Sequence, residues 1–103
     1  MRLAVALPIA ALALVFVATT AVSAADSPVR VVVWDEQQPA QKGVYENFLG
    51  NAIADYLKTR PAMSVTSVNL NDPQQGLADA VLDQCDVLVW GGHVRHREIK
   101  PET

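Results

Sequence analysis

The sequence predicts an α/β domain built on a doubly wound parallel sheet. Two short runs, Val31-Val32-Val33-Trp34 and Val87-Leu88-Val89-Trp90, are apolar at every position. Continuous apolar character suits parallel strands covered on both faces. Between them lie a helical pattern, an alternating stretch and a second, shorter helical pattern. The order strand, helix, strand, helix, strand implies parallel strands joined by crossover helices. Both apolar runs also end abruptly in chemistry-bearing residues, Asp35-Glu36 and Gly91-Gly92-His93-Val94-Arg95-His96. The loop after the carboxyl end of a strand is where open α/β sheets bind ligands.

The chain opens with one basic residue, Arg2, an apolar run over 3–18, and the small-residue segment Ala21-Val22-Ser23-Ala24-Ala25. These are the three regions of a secretory signal peptide, with residues 1–24 removed. Cleavage after Ala24 fits best and cleavage after Ala25 nearly as well. An uncleaved anchor would need about 20 apolar residues to span a bilayer; the run is shorter and Pro8 interrupts it. The expected location is secreted or periplasmic, with membrane contact only through the signal peptide during export. Losing residues 1–24 removes Arg2 and no acid, leaving seven basic against eleven acidic side chains. A mildly acidic domain has no electrostatic footprint for nucleic acid. Cys85 is the only cysteine, so an internal disulfide is ruled out. It precedes a strand, where a small packing thiol is the expected use.

The elements follow in order. Val29 to Trp34 forms the first strand, and 35–43, polar with Pro39 and Gly43, a loop. Tyr45, Phe48, Leu49, Ala52, Ile53 and Tyr56, with Leu57, make the apolar stripe of a helix. Lys58 and Arg60 suit its carboxyl end and Pro61 stops it. Met63, Val65, Val68 and Leu70 alternate with polar residues, but the phase slips at Thr66-Ser67, as at a bulge or a sheet edge. Asn71-Asp72-Pro73 is a turn in which Asp72 can cap and Pro73 can start a helix. That helix, weakened by Gly76, falls mainly on 77–84 with Leu77 and Val81 toward the sheet. Asp86 leads into the third strand. Right-handed crossovers then place the first strand between the second and third, and their carboxyl ends meet at the switch point.

Two carboxylates and two imidazoles thus share one expected crevice. Glu36 is the candidate general base and His93 its acid/base partner. The alternative for Glu36 is a capping carboxylate, and for Asp35 bonds to nearby amides. Trp34 and Trp90 offer flat faces to a ligand, or pack in the core. Gly91 and Gly92 allow close backbone approach. They are not a dinucleotide fingerprint, because Gly-x-Gly-x-x-Gly is absent. His96, three residues after His93, can share a ligand with it or stay solvated beside Arg95 and Arg97. The spacing leaves metal binding open.

The chain after the signal resembles the N-terminal part of the ThuA-like (trehalose utilization) family. The motifs are Trp34-Asp35-Glu36, Gly50-Asn51-Ala52-Ile53-Ala54-Asp55, Asp72-Pro73-Gln74-Gln75-Gly76-Leu77, Val81-Leu82-Asp83, and Trp90-Gly91-Gly92-His93-Val94-Arg95-His96. Gly91 departs from the family pattern, which has a second tryptophan there. The resemblance implies a flavodoxin-like fold of the class I glutamine amidotransferase type, without the nucleophile of glutaminases. It implies a small-molecule carbohydrate, a disaccharide or oxidised sugar, held by Trp34, Asp35, Trp90, Gly91, Gly92 and His96, with Glu36 and His93 as acid/base pair. It also implies that 25–103 is the first half of a longer domain. A non-catalytic sugar-binding protein and an inactive fragment are the alternatives. Reaction, cofactor, metal and oligomeric state stay open. Exported protein should begin at Ala25 or Asp26 when its mass is measured; intact Met1 in a membrane fraction would contradict the leader reading.

Overall fold

The computed structural model describes residues 2–6, 8, 10, 13–18 and 27–103. The two expected cleavage points lie outside the described residues. No helix among the described residues is long and apolar enough to cross a membrane.

The fold is α/β, with a three-stranded parallel sheet in the order β2-β1-β3. β1 spans Val29–Asp35, α1 Phe48–Lys58, β2 Met63–Asn69, α2 Asp79–Leu82 and β3 Val87–Gly91. Short 3-10 turns cover Pro39–Gly43, Pro73–Gly76 and Arg95–Glu98. The first strand is central, as its unbroken apolar run implies. Its successive residues serve opposite faces. Val31 and Val33 pack with Ile53, Ala54 and Leu57 of α1. Val32 and Trp34 pack with Val68, Leu70, Leu77, Val81, Cys85 and Ile99. Burial on both faces is what the apolar run 31–34 serves, while Asp35 at the strand's end is buried on hydrogen bonds instead. At its open start, Arg30 bonds Asp86 through two guanidinium nitrogens, at 2.8 and 3.1 Å, and ties β1 to the entry of β3.

Three expectations change in detail. The stripe of α1 is rotated: Gly50 and Ala54 are its buried residues, while Tyr45 and Tyr56 are exposed. Small residues win the sheet-facing side because the helix comes very close there. The Gly50 amide reaches the Asp35 carboxylate at 2.7 Å, and a Cβ on Gly50 would sit 2.4 Å from that of Asp35. β2 has no bulge; its register with β1 runs unbroken from Val29↔Met63 to Asp35↔Asn69. It is a sheet edge whose apolar residues divide between faces, Val65 toward α1 and Val68 and Leu70 to the other side. The phase slip is therefore a change of face.

The second helix is only Asp79–Leu82. Asp72 caps no helix; its carboxylate accepts the Asn69 amide at 2.9 Å. Pro73 opens a tight turn in which Gln74 and Gln75 both have positive φ. The cause lies in the core. The indole N–H of fully buried Trp34 needs an acceptor, and the Gln75 carbonyl supplies it at 2.7 Å. Gly76 (φ 75°) closes that turn, and a Cβ there would lie 2.7 Å from the Asn69 carbonyl oxygen. Cys85 is a half-buried free thiol packed on the Trp34 side.

Val33 touches α1 from the middle of the central strand and is among the largest fully buried side chains. Val33→Ala should cost about 2 kcal/mol through lost burial and a cavity. Exposed Thr66→Ala should stay within about 0.5 kcal/mol of the parent. Urea unfolding of both variants checks the contrast; equal losses would contradict the assigned core.

Candidate functional site

The site is built on the loops leaving β1 and β3. The parallel register aligns Trp34 with Trp90 and Asp35 with Gly91, so both chains leave the sheet at the same height. The Glu36 amide continues the ladder by donating to the Gly91 carbonyl at 3.1 Å. That pairing delivers Glu36 beneath the segment that begins at Gly92.

Glu36 is only 1% exposed, and its carboxylate is saturated with donors. The Val94 amide reaches its two oxygens at 2.8 and 3.0 Å, the His96 amide reaches Oε2 at 2.9 Å, and the Arg95 amide and the Gln38 side chain complete the set. Burial pushes this carboxyl up, but the hydrogen bonds from the Val94 amide, the Gln38 side chain and further loop amides outweigh it and hold its pKa at about 2. A carboxylate held that low, with no free lone pair facing solvent, is a poor proton acceptor near neutral pH. The geometry corresponds to the capping alternative for Glu36: its carboxylate anchors the turn Arg95–Glu98 at its first amides.

Arg95 locks the same loops from the other side. Its Nη1 donates to the Glu36 and Gln37 carbonyls, both at 3.1 Å, while Nε pairs with Glu98 at 2.7 Å. Sequence reasoning missed this lock: the i,i+3 pair with Glu98 is readable from residue type, but the contacts that tie Arg95 to the loop after β1 are to main-chain carbonyls, which leave no such trace. Gln37, between the two grips, has a positive φ of 52°. Asp35 is likewise buried. It accepts the Gly50 amide at 2.7 Å and the Gln37 amide at 3.0 Å, so it fastens the start of α1 to the end of β1.

The aromatic pair divides its work. Trp34 is 0% exposed and has no surface for a ligand. Trp90 stacks on it, ring centroids 4.0 Å apart and 9° from parallel, and is 46% exposed. Gly92 sits against this pair: a Cβ there would lie 2.5 Å from the Trp90 indole nitrogen and 3.1 Å from His96 Cβ. Gly91 similarly brings its backbone to the Trp34 carbonyl, where a Cβ would meet the oxygen at 3.1 Å. Close approach thus requires a glycine at Gly92, while at Gly91 a side chain would be a tight fit.

The histidines separate in the same way. His93 is exposed and His96 half-buried, and His96 Nδ1 is buried without a hydrogen-bond partner. Among the described residues no group of three or more His, Cys, Asp and Glu side chains could hold a metal ion. Asp35 and Glu36 are committed to backbone amides, which removes the oxygen ligands such a site would have used. The surviving polar and aromatic surface is His93, the rim of His96 and Trp90. A broad concavity lined by Asp72, Gln75, Leu77, Asp79 and Lys100 lies elsewhere. The chain matches no protein-family model and no curated protein.

The Glu36 anchor generates a pH test. Its folded pKa lies below the ordinary 4.5, so its stabilisation is full above that value and is lost as pH falls through about 2. Glu36→Gln should cost roughly 1–3 kcal/mol at pH 7 by weakening charge-assisted bonds. Urea midpoints of parent and variant should converge between pH 4.5 and about 2; a gap independent of pH would refute the ionised anchor.

Proposed function

We propose that this chain is an exported carbohydrate-binding protein of the ThuA-like type, whose ligand sits on the ledge formed by Trp90, Gly92, His93 and His96. The observation that carries the reading is the exposed Trp90 indole, backed by a buried Trp34 and followed directly by the loop that bears His93 and His96. A rigid, flat aromatic face beside polar donors matches the two kinds of surface on a sugar, apolar C–H faces and a rim of hydroxyls. The backing stack and the Glu36–Arg95 lock pre-organise that face, so little ordering entropy is spent on binding. A disaccharide or an oxidised sugar is the proposed ligand class, in keeping with the motif resemblance. The small sheet is proposed to belong to a doubly wound architecture in which β3 is an interior strand.

Binding without catalysis is favoured over acid/base chemistry by one feature. Among the described residues the carboxylates of Asp35 and Glu36 are buried and occupied by backbone amides and that of Glu98 pairs with Arg95, so none of the three is hydrogen-bonded to His93. A catalytic version would have His93 alone move the proton.

Trehalose and other disaccharides can be titrated while Trp fluorescence and heat are recorded. Trp90→Ala should weaken binding at least tenfold, about 1.4 kcal/mol, and His93→Ala should weaken it several-fold, both with unchanged circular dichroism. His96→Ala should instead lower stability, because its side chain packs at Gly92. Product formation from any of these sugars would favour the catalytic version. Unaltered sugar affinity in folded Trp90→Ala would remove the ledge from consideration.

A further inference from the structure

We propose that residues 38–49 form a strap that closes over the sugar ledge and sets Tyr45 and the Gln41 carboxamide against the outward side of the ligand. The inference rests on the carbohydrate reading and adds to it how access to the ledge is controlled. The strap leaves the sheet after β1 and returns as α1. One buried carboxylate holds both of its ends: Asp35 accepts the Gln37 amide at 3.0 Å and the Gly50 amide at 2.7 Å. The same two ends carry left-handed backbone, Gln37 at φ 52° and Phe48 at φ 64°. That conformation is uncommon outside glycine, most of all for a bulky residue such as phenylalanine. Strain of this kind gathers at ligand clamps and switch segments, and it lowers the cost of leaving the observed position.

Between the hinges the strap is bonded to itself. The Gln41 amide donates to the Gln38 carbonyl at 3.0 Å, and the Val44 and Tyr45 amides donate to the Gln41 carbonyl at 3.0 and 2.9 Å. Among the described residues, no hydrogen bond joins 39–47 to the strands or to the loop after β3. A segment held internally, but tied to the body only at its ends, moves as a unit at low cost. Its root lies against the ledge. The Gln38 side chain donates to the Glu36 carboxylate, which also accepts the Val94 and His96 amides, and Arg95 grips the Gln37 carbonyl. Its tip carries Val44 and Tyr45, 76% and 37% exposed. A tyrosine ring offers a sugar the same kind of flat face that Trp90 does.

The polar groups point to what the strap closes on. Gln41 Oε1 in the strap and His96 Nδ1 on the ledge are both buried without a hydrogen-bond partner. Unanswered buried polar atoms are rare in folded proteins. A carboxamide oxygen can only accept, and His96 with its ring proton on Nε2 offers Nδ1 as an acceptor. Both sides of the crevice therefore need donors, and a sugar hydroxyl is one. Closure on a hydroxyl-rich ligand answers both atoms, while Tyr45 covers the sugar face turned away from Trp90. Charge does not oppose the movement, because Lys42 and Glu46 are the strap's two charged residues and they cancel. The anchor, the hinges and the strap lie within 35–50 and use neither outer edge of the sheet.

Trypsin cleavage after Lys42, exposed on the strap beside Gly43, reads the strap's position in the full chain. Trehalose and maltobionate, an oxidised disaccharide, are the probes, and Trp fluorescence reports their binding separately. Saturating sugar should slow this cleavage at least about tenfold, because proteolysis follows the population of the open form. The same trypsin should cut a reporter peptide at an unchanged rate. Tyr45→Ala should bind sugar about fivefold more weakly, mostly through faster release. Gln41→Leu should also lose affinity several-fold, yet keep or gain stability without sugar, since it removes an unanswered buried acceptor. Sugar that binds without slowing the cleavage, or that binds both variants as tightly as the parent, would overturn the strap and leave the carbohydrate reading standing. No binding of either sugar would remove that reading and the strap with it.

Discussion

The carboxylate of Glu36, buried among the amides of Val94, Arg95 and His96, is the interaction on which the site depends. These amides open the short turn Arg95–Glu98 and have no carbonyl of their own to meet. An anion at that place satisfies them and offsets the partial positive charge of the turn's start. In return the amides make burial of a carboxylate tolerable, which alone would be costly. One side chain just after β1 therefore holds the backbone of Val94, Arg95 and His96 in the loop after β3.

The tryptophan stack is a second constraint of the same kind. Burying Trp34 is favourable for its large apolar surface, but its N–H must be answered. The answer comes from the Gln75 carbonyl, and it is obtained by holding Gln74 and Gln75 in left-handed conformations. Such conformations cost roughly 1–3 kcal/mol each in non-glycine residues. The burial of the indole and its hydrogen bond offset that cost. The same turn, through the Gln75 side chain, holds the carboxyl-terminal segment at Glu98 and Lys100. The core under β1 and the path of the last residues are thereby coupled, although they are remote in sequence.

β3 contrasts with β1. Both contain an unbroken apolar run, yet 31–34 of β1 is buried while Val87, Leu88 and Trp90 of β3 are exposed. Apolar character on both faces is the mark of a strand with neighbours on all sides. Among the described residues the sheet supplies them to β1 and not to the outer side of β3.

Much of the architecture was determined by the sequence alone. Unbroken apolar runs bounded by polar turns specify parallel strands, buried in β1 though exposed in β3, and the alternation of strands with helical periods specifies their order. The central place of β1 and the meeting of the 35–36 and 91–96 loops follow from the handedness of crossovers. The dual-use residues were not determined in that way. A glutamate after a strand reads equally as base or as anchor, and a strand-end tryptophan as wall or as core. The choice rests on which amides and rings arrive from elsewhere in the chain. The grip of Arg95 on the loop after β1 was invisible because it is made to carbonyls, which every residue carries. The face presented by α1 turned on how closely Gly50 could approach Asp35, a packing distance rather than a pattern. Local periodicity encodes which residues want burial; only the tertiary structure decides what each buried polar group finds there, because those partners lie up to sixty residues apart.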